Sequence, residues 1–205
     1  MIESNSASRQ IIEDPSLGEP CGDFEKEKFR RPTSNPYSLA GSTTVITGAS
    51  HGLGLTLALA VIEAGGCVAC VDNANLPHTT YWNRIKQKAS MWDLTLRYHQ
   101  CNLSEDDDFD QLLSHISNYS CQTGAPVRGL VACGAIMQRT PVLEYRAEDF
   151  ARIMSWNVTT MFTTAKHAGR LFERTGEKAS IVLISSISGS IANRVSSTHS
   201  LLNLR

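Results

Sequence analysis

The stretch Ser42-Thr43-Thr44-Val45-Ile46-Thr47-Gly48-Ala49-Ser50-His51-Gly52-Leu53-Gly54 constrains this chain more than any other. Its β-branched run, Thr43 to Thr47, suits a buried strand, because branched side chains pack well on a pleated surface. Glycines at 48, 52 and 54 punctuate the next turn. Leu53, Leu57, Ala60, Val61 and Ala64 then recur at helical spacing until Gly65-Gly66 stops the helix. A strand, a glycine turn and a helix together aim the helix N-terminus at a phosphate. The free N–H groups and the positive end of the helix dipole suit the pyrophosphate of a dinucleotide. Glycine is expected there because a Cβ would hold the backbone away from the ligand. Val68-Ala69-Cys70-Val71-Asp72 reads as a second apolar strand ending in an acid. That acid falls roughly 20 residues beyond the glycines, where a carboxylate takes ribose hydroxyls. The alternative for the same pattern is a βα corner with no ligand.

The pattern continues to alternate. A helical stretch through Tyr81, Ile85 and Met91 precedes a strand from Leu94 to Cys101. Ser104 reads as an N-cap, with Glu105, Asp106, Asp107 and Asp108 on the first turn of the next helix, where acids complement the dipole. Arg128 to Ala135 is a fourth strand running into a small-residue turn. A long helix is expected from about Ala147 to Arg174, with Met154, Phe162, Ala165 and Phe172 on its inner face. Ala179 to Ser186 is the fifth strand. Near-continuous apolar strands separated by helices imply a parallel sheet covered on both faces. The expected fold is α/β, a doubly wound, Rossmann-type sheet of about five strands with the glycine turn at its carboxyl edge.

Net charge is −1 over 205 residues and no basic stripe is visible, so nothing points to nucleic acid. No apolar run approaches the roughly 18 residues that span a bilayer, and the acidic N-terminus has no signal core, so the expected location is cytoplasmic. Cys67 and Cys70 have redox or zinc spacing, but residues three apart on a strand point to opposite faces. They read as small apolar residues, and no metal site is expected. Residues 1–37 are polar, with Pro15, Pro20, Pro32 and Pro36, and read as a disordered tail.

The spacing Thr47-Gly48-x-x-x-Gly52-x-Gly54 resembles the short-chain dehydrogenase/reductase family. The resemblance extends through Asp72, Cys101-Asn102-Leu103, Asn157-Val158 and Ile184-Ser185-Ser186-Ile187-Ser188-Gly189, and covers residues 38–194. Its finer look is similar to fungal sugar- and polyol-type reductases. It implies NAD or NADP as cofactor, with contacts from Thr47, Gly48, Ser50, His51, Gly52, Leu53, Gly54, Asp72, Asn102, Leu103, Ala132, Cys133 and Gly134. Asn102 stands where the family usually has an Asp against adenine. Ala132-Cys133-Gly134-Ala135 replaces the usual Asn-Asn-Ala-Gly and keeps small residues beside the nicotinamide ribose. The implied reaction moves a hydride between nicotinamide and a small-molecule carbonyl or secondary alcohol. Ser186 then polarises the substrate oxygen and Asn157 supports the proton relay. The family assembles as homo-oligomers.

The family also uses a Tyr with a Lys four residues later. The tyrosines here are Tyr37, Tyr81, Tyr98, Tyr119 and Tyr145, and none has that Lys. Residues 195–205 read as a tail foreign to the family, beginning at a Val-Ser dipeptide that a splice-donor sequence can encode. His199 in that tail occupies a spacing the family sometimes gives its Tyr. Three readings follow: an oxidoreductase whose present chain is C-terminally incomplete and weakly active or inactive, a non-catalytic dinucleotide-binding or interaction protein, or a non-functional product of a gene model. With no sixth strand, Ile181 to Ile184 is expected to be an edge strand prone to association.

Overall fold

The computed structural model describes residues 36–189. The expected N-terminal tail up to residue 35, the tail from residue 195 and His199 lie outside that range. Ten regular elements alternate: β1 (Thr43–Thr47), α1 (Gly52–Glu63), β2 (Cys67–Asp72), α2 (Thr79–Met91), β3 (Leu96–Gln100), α3 (Asp106–Gln122), β4 (Val127–Ala132), α4 (Ala147–Met154), α5 (Thr160–Thr175) and β5 (Ser180–Leu183). All four strand pairings are parallel, in the order β3-β2-β1-β4-β5. This is the doubly wound sheet expected. The chain runs outward from β1 to β3, then returns to the other side of β1. The strand order therefore reverses between β1 and β4, and ligands of such sheets bind where that reversal opens a crevice.

Alternation along the central strands divides the core into two layers. Val45, Val71 and Leu130 join Leu113, Ile116 and Leu171 on the face covered by α3 and α5. Ile46, Val68 and Cys70 join Leu55, Ile62 and Ile85 on the face covered by α1 and α2. Each fully buried Ile or Leu contributes about 1.5–3 kcal/mol relative to exposure. Cys70 is one of these core residues, and burial, with the nearby Asp72 charge, pushes its thiol up to about 12. Cys67 instead accepts a hydrogen bond from the Thr95 N–H at 3.4 Å.

Four local expectations need correction. The face of α1 that is buried is Gly54, Leu55, Ala58 and Ile62, while Leu53 is 53% exposed. Apolar residues occur almost all round this helix, so periodicity alone leaves its phase open. Glu105, not Ser104, is the N-cap of α3. Both the N–H and the hydroxyl of Ser104 donate to Asn102 Oδ1, at 3.2 and 2.7 Å, a local turn that competes with the cap. The long helix is interrupted, because Ser155–Thr159 forms a π-helical turn between α4 and α5. The inner face is Ile153, Thr160, Thr164, His167, Ala168 and Leu171, with Phe172 packed beside it as expected, while Phe162 points outward at 66% exposure.

Among the described residues β5 is an edge strand, and all four of its residues are exposed. Among the same residues no helix is long and apolar enough to cross a membrane.

Candidate functional site

The glycine turn sits at the carboxyl end of β1, at the reversal point, and its three glycines do different work. Gly48 has φ +69°, and a Cβ there would lie 2.5 Å from Gly134 Cα on the turn after β4. A Cβ on Gly54 would lie 2.2 Å from the Gly48 carbonyl oxygen. At both positions the atoms in the way belong to the protein's own backbone, a requirement for glycine additional to the expected approach of a ligand. At Gly52 φ is +51° and a Cβ would meet nothing within 4 Å. His51 is the N-cap of α1 and makes no side-chain cap hydrogen bond, so its side chain takes up none of the first-turn N–H groups of α1. Such a terminus attracts anions.

Asp72 ends β2 and is 7% exposed. Its Oδ2 accepts the Ser50 N–H at 3.0 Å and its Oδ1 accepts the Ala74 N–H at 3.1 Å. Charge-assisted bonds of this kind make a buried carboxylate tolerable and fix its orientation, while each oxygen keeps a second lone pair for a hydroxyl. The Ser50 hydroxyl meets His51 Nδ1 at 2.9 Å, and the Ser50 carbonyl accepts the His78 N–H at 2.8 Å. Ser50 thus ties the glycine turn to the acid, the imidazole and the start of α2.

On the β4 side, Thr47 Oγ1 accepts the Cys133 N–H at 3.3 Å. Burial, with the negative charge of Asp72, holds the Cys133 thiol above its ordinary value. The segment that follows is pinned from the π turn. Asn157 Oδ1 accepts the Ile136 N–H and Asn157 Nδ2 donates to the Ile136 carbonyl, both at 2.8 Å. Both polar atoms of this amide are therefore taken up by one backbone unit. Asn157→Ala removes both bonds from a half-buried site and is expected to lower stability by about 2 kcal/mol. Asn157→Asp should lose at least as much, because a carboxylate oxygen would face the Ile136 carbonyl. Thermal unfolding of the two variants checks this, and an aspartate variant as stable as wild type would show the second bond to be unimportant.

These walls enclose a cavity of about 310 Å³, lined by Gly48, His51, Gly52, Leu53, Gly54, Asp72, Asn73, Leu103, Cys133, Gly134, Ala135, Ile136 and Trp156. Nine of the residues read from the sequence line it. Thr47 and Ser50 stand behind the lining and hold it by the bonds above. Ala132 is buried at the end of β4, paired with Thr47 and Leu183. Asn102 is exposed and its Oδ1 is engaged by Ser104. Ser186 lies beyond β5, half-buried, and its Oγ accepts the Ser188 N–H at 3.1 Å. Ala135 belongs to the small-residue turn already read, whereas Asn73, Ile136 and Trp156 were not anticipated. Asn73 and Ile136 simply extend recognised segments, whereas Trp156 lies in the π turn that interrupts the expected long helix. Chemically, the cavity offers an uncapped helix N-terminus for phosphate, an oriented carboxylate for hydroxyls, and apolar walls between them.

Residues 42–200 match the short chain dehydrogenase family. A short chain dehydrogenases/reductase of Aspergillus versicolor is 33% identical over 161 residues, covering 78% of this chain and 54% of that relative. Sorbose reductase of Schizosaccharomyces pombe is 27% identical over 158 residues, covering 77% and 59%. The chain therefore spans little more than half the length of these curated relatives. Among solved structures, a short-chain type dehydrogenase/reductase from Mycobacterium marinum superposes with a TM-score of 0.70 at 27% identity, covering 82% of this chain and 65% of that one.

Proposed function

The chain belongs to the short chain dehydrogenase family, and from that premise we propose that its cavity binds a nicotinamide dinucleotide, NAD(H) in preference to NADP(H). The proposed reaction is the interconversion of a small-molecule ketone and a secondary alcohol. The observation that carries the reading is the pairing of two features across one cavity: the uncapped N-terminus of α1 at His51–Gly52, and the carboxylate of Asp72 locked by two backbone N–H groups. The residues fit the group. The open Cα face of Gly52 lets a pyrophosphate approach the backbone, and the spare lone pairs of Asp72 accept the adenosine ribose hydroxyls. When bound, the nicotinamide supplies the hydride acceptor or donor. Ser186 keeps its hydroxyl proton available, since Oγ accepts rather than donates toward Ser188 N–H, and that proton would polarise the substrate oxygen. Asn157 holds Ile136 in place with one N–H and one oxygen lone pair, and its second N–H and second lone pair are left to support a proton relay.

A 2′-phosphate would bring negative charge against a carboxylate that is buried and unable to turn away. Like-charge juxtaposition in such a site costs several kcal/mol, so NAD⁺ should bind at least about tenfold more tightly than NADP⁺. Asp72→Ala should narrow or invert that ratio. Isothermal titration of the full chain with both dinucleotides decides it, and NADP⁺ binding as tightly as NAD⁺ to the wild type would end this reading of Asp72.

A second reading is favoured by one fact of composition, the lack of any Tyr-x-x-x-Lys in the chain. In that reading the chain holds dinucleotide without turning substrate over. Binding and turnover measured on the same preparation separate the two.

A further inference from the structure

After β4 the chain runs without regular structure from Cys133 to Pro141, and its first four residues line the cavity. A segment of this kind holds one shape only where side chains fix it. Two anchors do so here, both from the stretch α4 to the π turn. Asn157 takes the Ile136 N–H and carbonyl, as described. Two residues further on, Gln138 Oε1 accepts a hydrogen bond from Arg152 Nη2 on α4 at 2.6 Å. The same Arg152 nitrogen meets Asp149 Oδ1 at 3.3 Å, and a hydrogen bond from Gln138 holds the Asp149 carboxyl below its ordinary value. Gln138 Nε2 also donates to Thr140 Oγ1 at 3.3 Å. The spacing of the anchors agrees. Two residues of chain reach about 7 Å, and five helical residues rise about 7.5 Å. A segment running against the helix direction therefore meets both in register. One anchor fixes a point on the wall, whereas two fix its direction. The Arg152 and Asp149 side chains are 39% and 28% exposed, where an ion pair by itself adds little to stability. The consequence of this latch is geometric: it sets how Ala135 and Ile136 face the cavity.

We propose that Gln138 and Arg152, neither of which lines the cavity, are positioning residues that hold its Ala135–Ile136 wall against the half of the dinucleotide remote from Asp72. The inference rests on the dinucleotide reading above and adds to it a pair of side chains that tune affinity from outside the site. That reading gives the adenosine ribose to Asp72 and the pyrophosphate to the start of α1, which belong to other elements of the fold. With the latch released, the wall must be ordered at the moment of binding, and that ordering appears as lost affinity. A loss of about fivefold to tenfold is expected for NAD⁺. ADP lacks the nicotinamide riboside and should not register the change.

The test is calorimetry of the full chain with NAD⁺ and ADP, on wild type, Gln138→Leu, Arg152→Met and the double variant. Each single substitution removes the contact and keeps most of the side chain's apolar length. Each should weaken NAD⁺ binding by about fivefold to tenfold and leave ADP within about twofold of wild type. Melting temperatures should fall by no more than about 4 °C, as for a half-exposed polar contact. The double variant should bind NAD⁺ like either single one, because one contact can be lost only once. Amide hydrogen exchange in the ligand-free protein should quicken at Ile136 and stay unchanged at Ser50, whose N–H is bonded to Asp72. If all three variants bind NAD⁺ as the wild type does, the inference is overturned and the dinucleotide reading stands. Equal losses for NAD⁺ and ADP overturn it as well, since they report a general loosening of the fold. If the wild type binds neither ligand, the dinucleotide reading fails and takes this inference with it.

Discussion

Gly54→Ala is expected to destabilise the fold by about 3 kcal/mol or more, lowering the melting temperature by roughly 6–12 °C. The added Cβ would lie 2.2 Å from the Gly48 carbonyl oxygen and 2.7 Å from Ala49 Cα. Neither atom can rotate aside, because both belong to the backbone between β1 and α1. Relief requires α1 to lift from the turn, and that movement withdraws Leu55, Ala58 and Ile62 from the core. Gly52→Ala makes the informative contrast. Its φ of +51° disfavours alanine by about 1–2 kcal/mol, yet no atom lies within 4 Å of the new methyl group. It should therefore fold with a modest loss while its methyl obstructs the phosphate site. Thermal unfolding and dinucleotide calorimetry on both variants give the two readouts. A Gly54→Ala protein melting within a degree or two of wild type would show that α1 does not rest on the turn as described.

The second large effect concerns turnover. A steady-state assay of the 205-residue chain with ketones or secondary alcohols and either dinucleotide is expected to show rates about 10² to 10⁴ below those of family enzymes that hold a positioned acid–base pair. A phenol with an ordinary pKa near 10 needs an adjacent cation to work at neutral pH. No tyrosine here has a Lys four residues on, and burial pushes the Tyr98 phenol up to about 12, in the wrong direction for a proton carrier. Tyr98 is moreover committed to the Ala74 carbonyl at 2.7 Å. The assay should be run on protein shown by calorimetry to bind dinucleotide, so that low rates report missing proton transfer rather than missing cofactor. Family-like rates would refute the expectation and make His199 the first residue to substitute.

Much of this molecule was legible in the sequence because its signals are local. A β-branched run ending in glycine makes β1, an apolar run ending in an acid makes β2, and Gly65-Gly66 stops α1. These elements fall where they were read, and their alternation is that of the doubly wound sheet observed. The residues at the strand ends, Gly48, Asp72, Cys133 and Gly134, could be named for the cavity because parallel strands share one carboxyl edge. What the sequence left open depends on contacts between distant segments. The phase of α1 is chosen by Gly54 pressing on Gly48, a choice that an almost uniformly apolar helix cannot encode in its own period. The reason Gly48 must be glycine lies 86 residues away at Gly134. The π turn carries Trp156, which lines the cavity, and Asn157, which bonds to Ile136, and no local propensity announces it. Local chemistry decided which elements form and where they end. Backbone contacts across the sheet's reversal point decided which of their faces meet the ligand.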